Sequence, residues 1–115
     1  MSTAETGNYF EGRDFDTTVL LWTLLNAARG TGLAVSATAS AAFIYDEITG
    51  WSRVDSGDLA TVGSLIDGGY VRDLGPLTVR PDNEDEPTPA HEYTLTWQGS
   101  NFLARVETAV WGRYR

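Results

Sequence analysis

A pair of adjacent glycines, Gly68 and Gly69, separates two segments of different periodicity and constrains the fold more than any other feature. Before them, residues 57–67 carry apolar side chains at the i, i+3, i+6 and i+7 positions of one helix face. The glycines favour a left-handed helix end, and a strand begins at Tyr70. A second strand at residues 92–95 is followed directly by another helix. The order helix, hairpin, helix predicts the C-terminal half of an α+β winged helix-turn-helix domain.

The N-terminal half is expected to supply the rest of that domain. Residues 1–13 are polar and are predicted to form a flexible arm, whereas residues 14–115 form a single winged-helix domain. A first helix over residues 15–28 has a broad apolar surface and is predicted to stop at Gly30. Residues 33–35 suit a short first strand. The expected architecture is a three-helix core with a long β-hairpin wing and a C-terminal helix.

The second helix of that core is the least determined element. Phe43, Ile44, Glu47 and Ile48 follow helical spacing, so a helix from Ser36 or Thr38 to Ile48 is expected, with the apolar members on one face. Strand is the competing interpretation, because Phe, Ile and Tyr favour sheets. The pattern alone leaves residues 39–48 open between the two.

The predicted wing contains breaks in its pairing and an acidic loop. Gly75 and Pro76 predict a bulge or kink that keeps the first wing strand at a sheet edge. Residues 81–90 form the wing loop, because three prolines and four acidic residues cannot occupy the interior of a sheet. Thr96 is predicted to cap the last helix, and Asp55 or Ser56 to cap the third.

Composition excludes several classes of function. The chain has no cysteine, so disulfides and thiolate chemistry are absent. We predict no cofactor and no metal site, because His91 is the only histidine and reads as a surface residue. Lysine is absent too, and with it the P-loop motif. Together with the mobile setting of the paired acids, this predicts a protein that is not an enzyme. No apolar run long enough for a membrane span and no signal peptide are visible, which favours the cytoplasm.

The formal net charge is −8, and all eight basic residues are arginine. Three explanations remain open. A GC-rich genome favours arginine codons, a high-salt cytoplasm favours acidic proteins without lysine, or the acidity serves the function. Duplex DNA is itself densely negative, so an acidic domain is repelled as it approaches.

Two stretches of the chain resemble a known family. The first is Ser64-Leu65-Ile66-Asp67-Gly68-Gly69-Tyr70-Val71, and the second is Tyr93-Thr94-Leu95-Thr96-Trp97-Gln98-Gly99-Ser100-Asn101-Phe102-Leu103. They are similar to a family of small, uncharacterised phage and bacterial winged-helix proteins with a Leu-Thr-Trp-x-Gly-x-x-Phe-Leu signature. The resemblance implies a winged-helix fold and a phage or prophage origin, with the host cytoplasm as its setting. It implies no catalytic residues.

The third helix occupies the place of a recognition helix, yet it contains no Arg or Lys, and arginine is the commonest reader of guanine. Gly63 in this helix suggests close approach by another backbone or by a partner. We therefore favour an acidic interaction module that binds and inhibits or modulates a basic, nucleic-acid-handling host protein, as an anti-CRISPR inhibitor would. The candidate partner-binding residues are Trp51, Asp58, Asp67, Asp82, Glu84, Asp85 and Glu86.

The alternative is a DNA-binding transcriptional regulator, which is the usual function of winged-helix proteins. It would use Arg53, Arg72 and Arg80 to contact DNA. The C-terminal helix, with aromatic residues near its end, is a candidate homodimer contact, although packing on the first helix would satisfy the same side chains.

Overall fold

A computed structural model describes residues 15–81 and 86–112, so the predicted arm at residues 1–13 lies outside the described part. The elements are α1 (Phe15–Asn26), β1 (Leu33–Ser36), β2 (Ala42–Asp46), β3 (Gly50–Arg53), α2 (Leu59–Asp67), β4 (Val71–Val79), β5 (Thr88–Leu95) and α3 (Trp97–Gly112). A π-helical turn at Ala27–Thr31 follows α1, and a 3-10 turn at Ser56–Asp58 precedes α2. The five strands form one antiparallel sheet in the order β3-β2-β1-β5-β4. The architecture is therefore α+β.

The main core lies between the helices and one face of the sheet. Leu24 and Leu25 of α1, Leu33 of β1 and Val106 of α3 are at most 1% exposed and belong to one apolar cluster. All four residues of β1 are buried, as expected for the central strand of the sheet. The strand therefore anchors the helical layer from the middle of the sheet.

A second apolar cluster fills the opposite face of the sheet, where no described helix packs. Ala34, Phe43 and Val79 are fully buried there, and Trp51 is packed against them. An isolated parallel bridge joins Trp51 of β3 to Pro81, just after β4. Because β3 and β4 are the two edges of the sheet, this bridge shows that the sheet curls until its edges touch at one end. Trp51, which forms this bridge, is also packed against the second cluster.

The predicted second helix is wrong, because the segment forms the β2–β3 hairpin. Burial in β2 alternates between the two faces: Ala42 joins the main core and Phe43 the second cluster. The Asp46 carboxylate accepts hydrogen bonds from the N–H groups of Ile48 (2.7 Å) and Thr49 (3.2 Å), which closes the turn. Ile48, assigned to a buried helix face by its spacing, is 92% exposed. A segment that can bury both faces of a strand gains more from pairing with β1 than from one helix face.

The α-helical part of the first helix ends at Asn26, slightly before the predicted residue 28, but the π-helical turn continues past the predicted stop at Gly30. The chain passes Gly30 in the π-helical turn, and Gly32 terminates it with a φ of 143°. The N–H of Gly32 donates to the carbonyl of Ala27 at 2.7 Å. A positive φ is what glycine supplies at low steric cost, so Gly32 rather than Gly30 is the end of this helical segment.

The predicted end of the third helix is confirmed in α2. Gly69 has a φ of 79°, and the N–H of Tyr70 donates to the carbonyl of Leu65 at 3.0 Å. The predicted start is only partly right. Asp55 stands at the beginning of the 3-10 turn, but neither its side chain nor that of Asp58 makes a capping hydrogen bond.

Two junctions, α2–β4 and β5–α3, are fastened to each other. The hydroxyl of Thr96 donates to the carbonyl of Gly69 (2.6 Å) and accepts from the N–H of Gly99 (2.9 Å), so the predicted cap by Thr96 is confirmed. The side-chain amide of Gln98 donates to the carbonyl of Gly68 at 3.1 Å. These contacts place α2 at a fixed position over the sheet.

Close contact between α3 and the α2–β4 junction requires a glycine at position 99. A Cβ on Gly99 would lie 1.9 Å from the carbonyl oxygen of Tyr70 and 3.1 Å from the Leu95 side chain. The same Tyr70 oxygen accepts a hydrogen bond from the N–H of Thr96 at 3.1 Å. Packing and capping therefore account for Thr96 and Gly99 of the Thr-Trp-x-Gly segment, whereas Trp97 is 83% exposed.

The predicted irregularity in the first wing strand is also confirmed. β4 is an edge strand, and its pairing with β5 shifts by one residue between Asp73 and Gly75, so that Leu74 bulges. Gly75 has a φ of 125°, and its N–H donates to Asp73 Oδ1 at 2.7 Å. The bulge therefore fixes the position of the Asp73 carboxylate.

Candidate functional site

A groove of about 410 Å³ lies between α2 and the sheet. We call it the α2 groove. Its wall is the α2 surface that carries Gly63, Ile66 and Asp67, and the turn after β1 forms one rim. Its floor is the part of the helix-facing side of β1, β5 and β4 that holds the side chains of Val35, His91, Tyr93 and Asp73. Of the cavities in the described parts of the chain, this one gathers several titratable side chains.

The most defined contact in the α2 groove is between Asp73 and His91. His91 Nδ1 lies 2.9 Å from Asp73 Oδ2 and 3.2 Å from Oδ1, and both side chains are roughly half-exposed. The Oδ1 atom also accepts the hydrogen bond from Gly75 that closes the bulge. A carboxylate held by a backbone donor on one side and an imidazole on the other presents a fixed negative group to the groove.

Tyr93 lies beside this pair and is the register partner of Asp73 across the hairpin. Burial, and then the neighbouring Asp73 carboxylate, raise the pKa of the Tyr93 phenol above its ordinary value of 10.0. Both causes disfavour the phenolate, so the hydroxyl keeps its proton at neutral pH. The α2 groove therefore offers a neutral aromatic hydroxyl next to a carboxylate.

Gly63 has no side chain, which leaves open space on the α2 side of the groove. Apart from its chain neighbours and the backbone of its own helix, no described residue has an atom within 4 Å of the position that a Cβ on Gly63 would occupy. The expected close approach by another backbone is therefore not made within the described residues. The second expectation, that a partner approaches Gly63, stays a prediction. The open space beside Gly63 is where such a partner would contact α2.

The predicted acidic residues are only partly brought together. Asp58 and Asp67 stand at opposite ends of α2, about 13 Å apart at 1.5 Å per residue. Asp67 reaches the α2 groove, and Glu86 is exposed at the described end of the wing loop. Asp82, Glu84 and Asp85 lie outside the described residues. The pattern of charges gave no sign that Asp67 would share a groove with a carboxylate on β4.

The sequence interpretation missed the Asp73–His91 pair. It treated His91 as an isolated surface residue and Asp73 as one of several distributed charges. The two residues are 18 positions apart, and only the hairpin register brings them together. The glycine and proline after Asp73 were the available signal, because a bulge there changes which β5 residue the carboxylate can reach.

The three arginines of the DNA-binding alternative are not all brought together, because Arg72 lies far along β4 from Arg80. Arg72 is the second residue of β4 and Arg80 follows its last residue, about 26 Å away at 3.3 Å per residue. Arg53 lies on β3 with its guanidinium carbon 5.2 Å from the centre of the Phe43 ring. Between Arg53 and Arg72 the sequence contains no basic residue. Within the described ranges, these three arginines therefore form no continuous positive surface across α2 and the hairpin.

Trp51 has a structural role in the curled end of the sheet. Its ring lies 5.3 Å from that of Tyr45 in an edge-on arrangement, and its far edge would lie 3.1 Å from a Cβ on Gly32. Its backbone forms the bridge to Pro81. Packing accounts for the position of this tryptophan, and its role in partner binding stays a prediction.

The C-terminal helix packs on α1. The rings of Trp22 and Trp111 meet edge-on at 5.8 Å, and Trp22 Nε1 donates to Glu107 Oε2 at 3.4 Å. Trp111 remains 52% exposed, beside a shallow depression of about 310 Å³ on the α3 surface. Contacts within the chain thus satisfy part of the aromatic surface, and the homodimer through this helix stays a prediction.

Across residues 15–81 and 86–112, no group of three or more His, Cys, Asp or Glu side chains is placed to hold a metal ion. No helix in these ranges is long and apolar enough to cross a membrane. Comparisons with protein-family models, curated proteins and solved structures find no match to this chain. Function must therefore be argued from the groove and the charges themselves.

Proposed function

We propose that the protein is a non-enzymatic, acidic interaction module that binds a basic surface of a protein partner. One observation carries this proposal: α2 has aspartates at both ends and no basic residue, and Asp67 shares the α2 groove with Asp73. A partner with clustered arginine or lysine side chains is complementary to that surface. With a net charge of −8, long-range attraction would accelerate association, and the affinity would fall as salt is added.

Within this proposal, the fold is a variant of the winged helix. The order α1, β1, α2, β4 and β5 corresponds to the order of that fold, and the β2–β3 hairpin stands in place of the second helix. In this interpretation α2 has the position of a recognition helix. A surface that reads DNA in other winged helices is here anionic, which is why we propose a protein partner.

The resemblance of residues 93–103 to phage and bacterial winged-helix proteins directs the proposal toward a host protein that handles nucleic acid. Such proteins carry basic grooves for the phosphate backbone. An acidic module bound in a groove of this kind would block it. The proposed biological role is therefore inhibition or modulation of such a host protein, of the kind that an anti-CRISPR protein performs.

The alternative is a DNA-binding regulator, and one observation favours it. Arg53 and Arg80 flank the Trp51–Pro81 bridge, so the curled end of the sheet carries two cations on neighbouring segments. In this alternative, DNA would contact the curled end of the sheet and not α2. This surface is small compared with the interface that a specific DNA site requires.

A pair of fluorescence anisotropy titrations distinguishes the two functions. One uses a labelled random 20-base-pair duplex and the other a labelled arginine-rich peptide, both at low salt. We expect the peptide to bind with a dissociation constant on the order of micromolar that weakens with salt, and the duplex to show no binding. Micromolar binding of the duplex, falling steeply with salt, would refute the interaction-module proposal. Failure of the peptide to bind at low salt would also refute it.

A further inference from the structure

The α2 groove is large enough to hold one long side chain. Its wall is low at Gly63 because no side chain rises there, and Ile66 extends the apolar surface along the helix. Across the sheet, Val35 and Tyr93 supply an apolar and aromatic floor. A volume of about 410 Å³ lies at the lower end of the range of ligand sites. The groove can hold an extended aliphatic stem but is small for a folded peptide.

The α2 groove is lined by two aspartates, Asp67 and Asp73, together with His91 and Tyr93. Asp67 is exposed on the wall, and among the described residues its carboxylate has no ion-pair partner. Asp73 is held in place by Gly75 and His91 on the floor. No arginine is among the residues that line the groove beside these two carboxylates. The charge complement of this groove is a cation.

We propose that the α2 groove binds a single arginine side chain from the basic partner, an inference that rests on the proposed function. The guanidinium is planar, offers five N–H donors and pairs with carboxylates through two parallel bonds, and it also stacks on aromatic rings. Asp67, Asp73 and the Tyr93 ring supply these contacts, while the aliphatic stem lies along Gly63. A lysine head offers no planar fork and would bind the same groove more weakly.

The probe is a blocked arginine, N-acetyl-L-arginine N-methylamide, titrated into the full ¹⁵N-labelled chain and followed by two-dimensional NMR. We expect saturable shifts at the amides of Gly63, Asp67 and Tyr93, with a dissociation constant on the order of millimolar. Two matched probes are the blocked citrulline, which has nearly the same shape but no charge, and the blocked lysine. The citrulline should bind about tenfold more weakly, because its neutral urea keeps the N–H donors but loses the charge attraction to the two carboxylates.

Two pairs of variants locate the site. Gly63→Leu fills the groove and should weaken arginine binding about tenfold, whereas Ser64→Leu adds the same bulk at the next, exposed helix position and should change it less than twofold. Asp67→Asn should weaken binding about fivefold or more. Asp55→Asn removes an equal charge from an exposed residue outside the groove and should have little effect. Unchanged NMR spectra outside the groove show that each variant is folded. If Gly63→Leu does not fold, Gly63→Ala is the milder substitution at the same position.

The outcomes separate this inference from the function on which it rests. If an arginine-rich peptide binds but Gly63→Leu and Asp67→Asn leave its affinity unchanged, the groove assignment is wrong and the interaction module stands. Shifts spread evenly over exposed acidic residues, without saturation, overturn the groove assignment in the same way. If no basic peptide binds at low salt, both proposals fail.

Discussion

Replacing Gly99 by alanine tests the contact that positions α2. The new methyl group would lie 1.9 Å from the Tyr70 carbonyl oxygen, whereas carbon and oxygen atoms in contact are normally about 3.3 Å apart or more. The helix and the junction must therefore separate by more than roughly 1 Å. The atom in the way is backbone, so a side-chain rotation cannot relieve the clash.

The cost of Gly99→Ala follows from the bonds that this separation disturbs. Overpacking of this kind costs about 1–3 kcal/mol. The hydrogen bonds from Thr96 N–H to Tyr70 and from the Thr96 hydroxyl to Gly69 cross the same gap, and losing one of them costs about 1 kcal/mol more. The higher helix propensity of alanine offsets up to about 1 kcal/mol of this loss in the free energy of unfolding. These terms give a net loss of about 1–4 kcal/mol in the free energy of unfolding, and the middle of that range corresponds to about 10 °C in Tm.

Gly63→Ala is the matched control, because it makes the same change in a helix with open space around the new methyl group. It should raise the free energy of unfolding by up to about 1 kcal/mol, opposite in sign to the change at Gly99. Both are measured by urea denaturation followed by circular dichroism and tryptophan fluorescence. A Gly99→Ala protein at least as stable as the original chain would refute the packing argument, and with it the fixed position of α2.

Further predictions concern the cap, the groove and the curled end of the sheet. Thr96→Ala should lower the free energy of unfolding by about 1–2 kcal/mol in urea, and Thr96→Ser should restore most of it. Because the folded state raises the pKa of Tyr93, the free energy of unfolding should decline as pH rises from about 10 through that raised pKa. Tyr93→Phe should reduce this decline. Asp73→Asn should lower the Tyr93 pKa, measured by an absorbance titration at 295 nm. Trp51→Ala should destabilise the fold by about 2 kcal/mol, and a variant with unchanged stability would contradict the packing role of Trp51.

The features that the sequence determined are those set by short-range backbone chemistry. The glycines after α2 specify a left-handed helix end, since Gly69 needs a positive φ there. Thr96 specifies a helix start, because its hydroxyl reaches an N–H three residues later. Gly75 next to a proline specifies a bulge in an edge strand. Each of these depends on residues only a few positions apart, so the local pattern is sufficient.

Tertiary structure decided the features that depend on distant partners. Residues 42–46 carry a short apolar run whose spacing suits a helix or a strand, and pairing with β1 together with burial on both faces selected the strand. The Asp73–His91 contact joins residues 18 positions apart, and the Trp51–Pro81 bridge joins residues 30 apart in the numbering. The α2 groove exists only because the two junctions hold α2 over the hairpin. Non-local pairing of this kind leaves no periodic trace in the sequence, since its stabilisation comes from residues that are far apart along the chain.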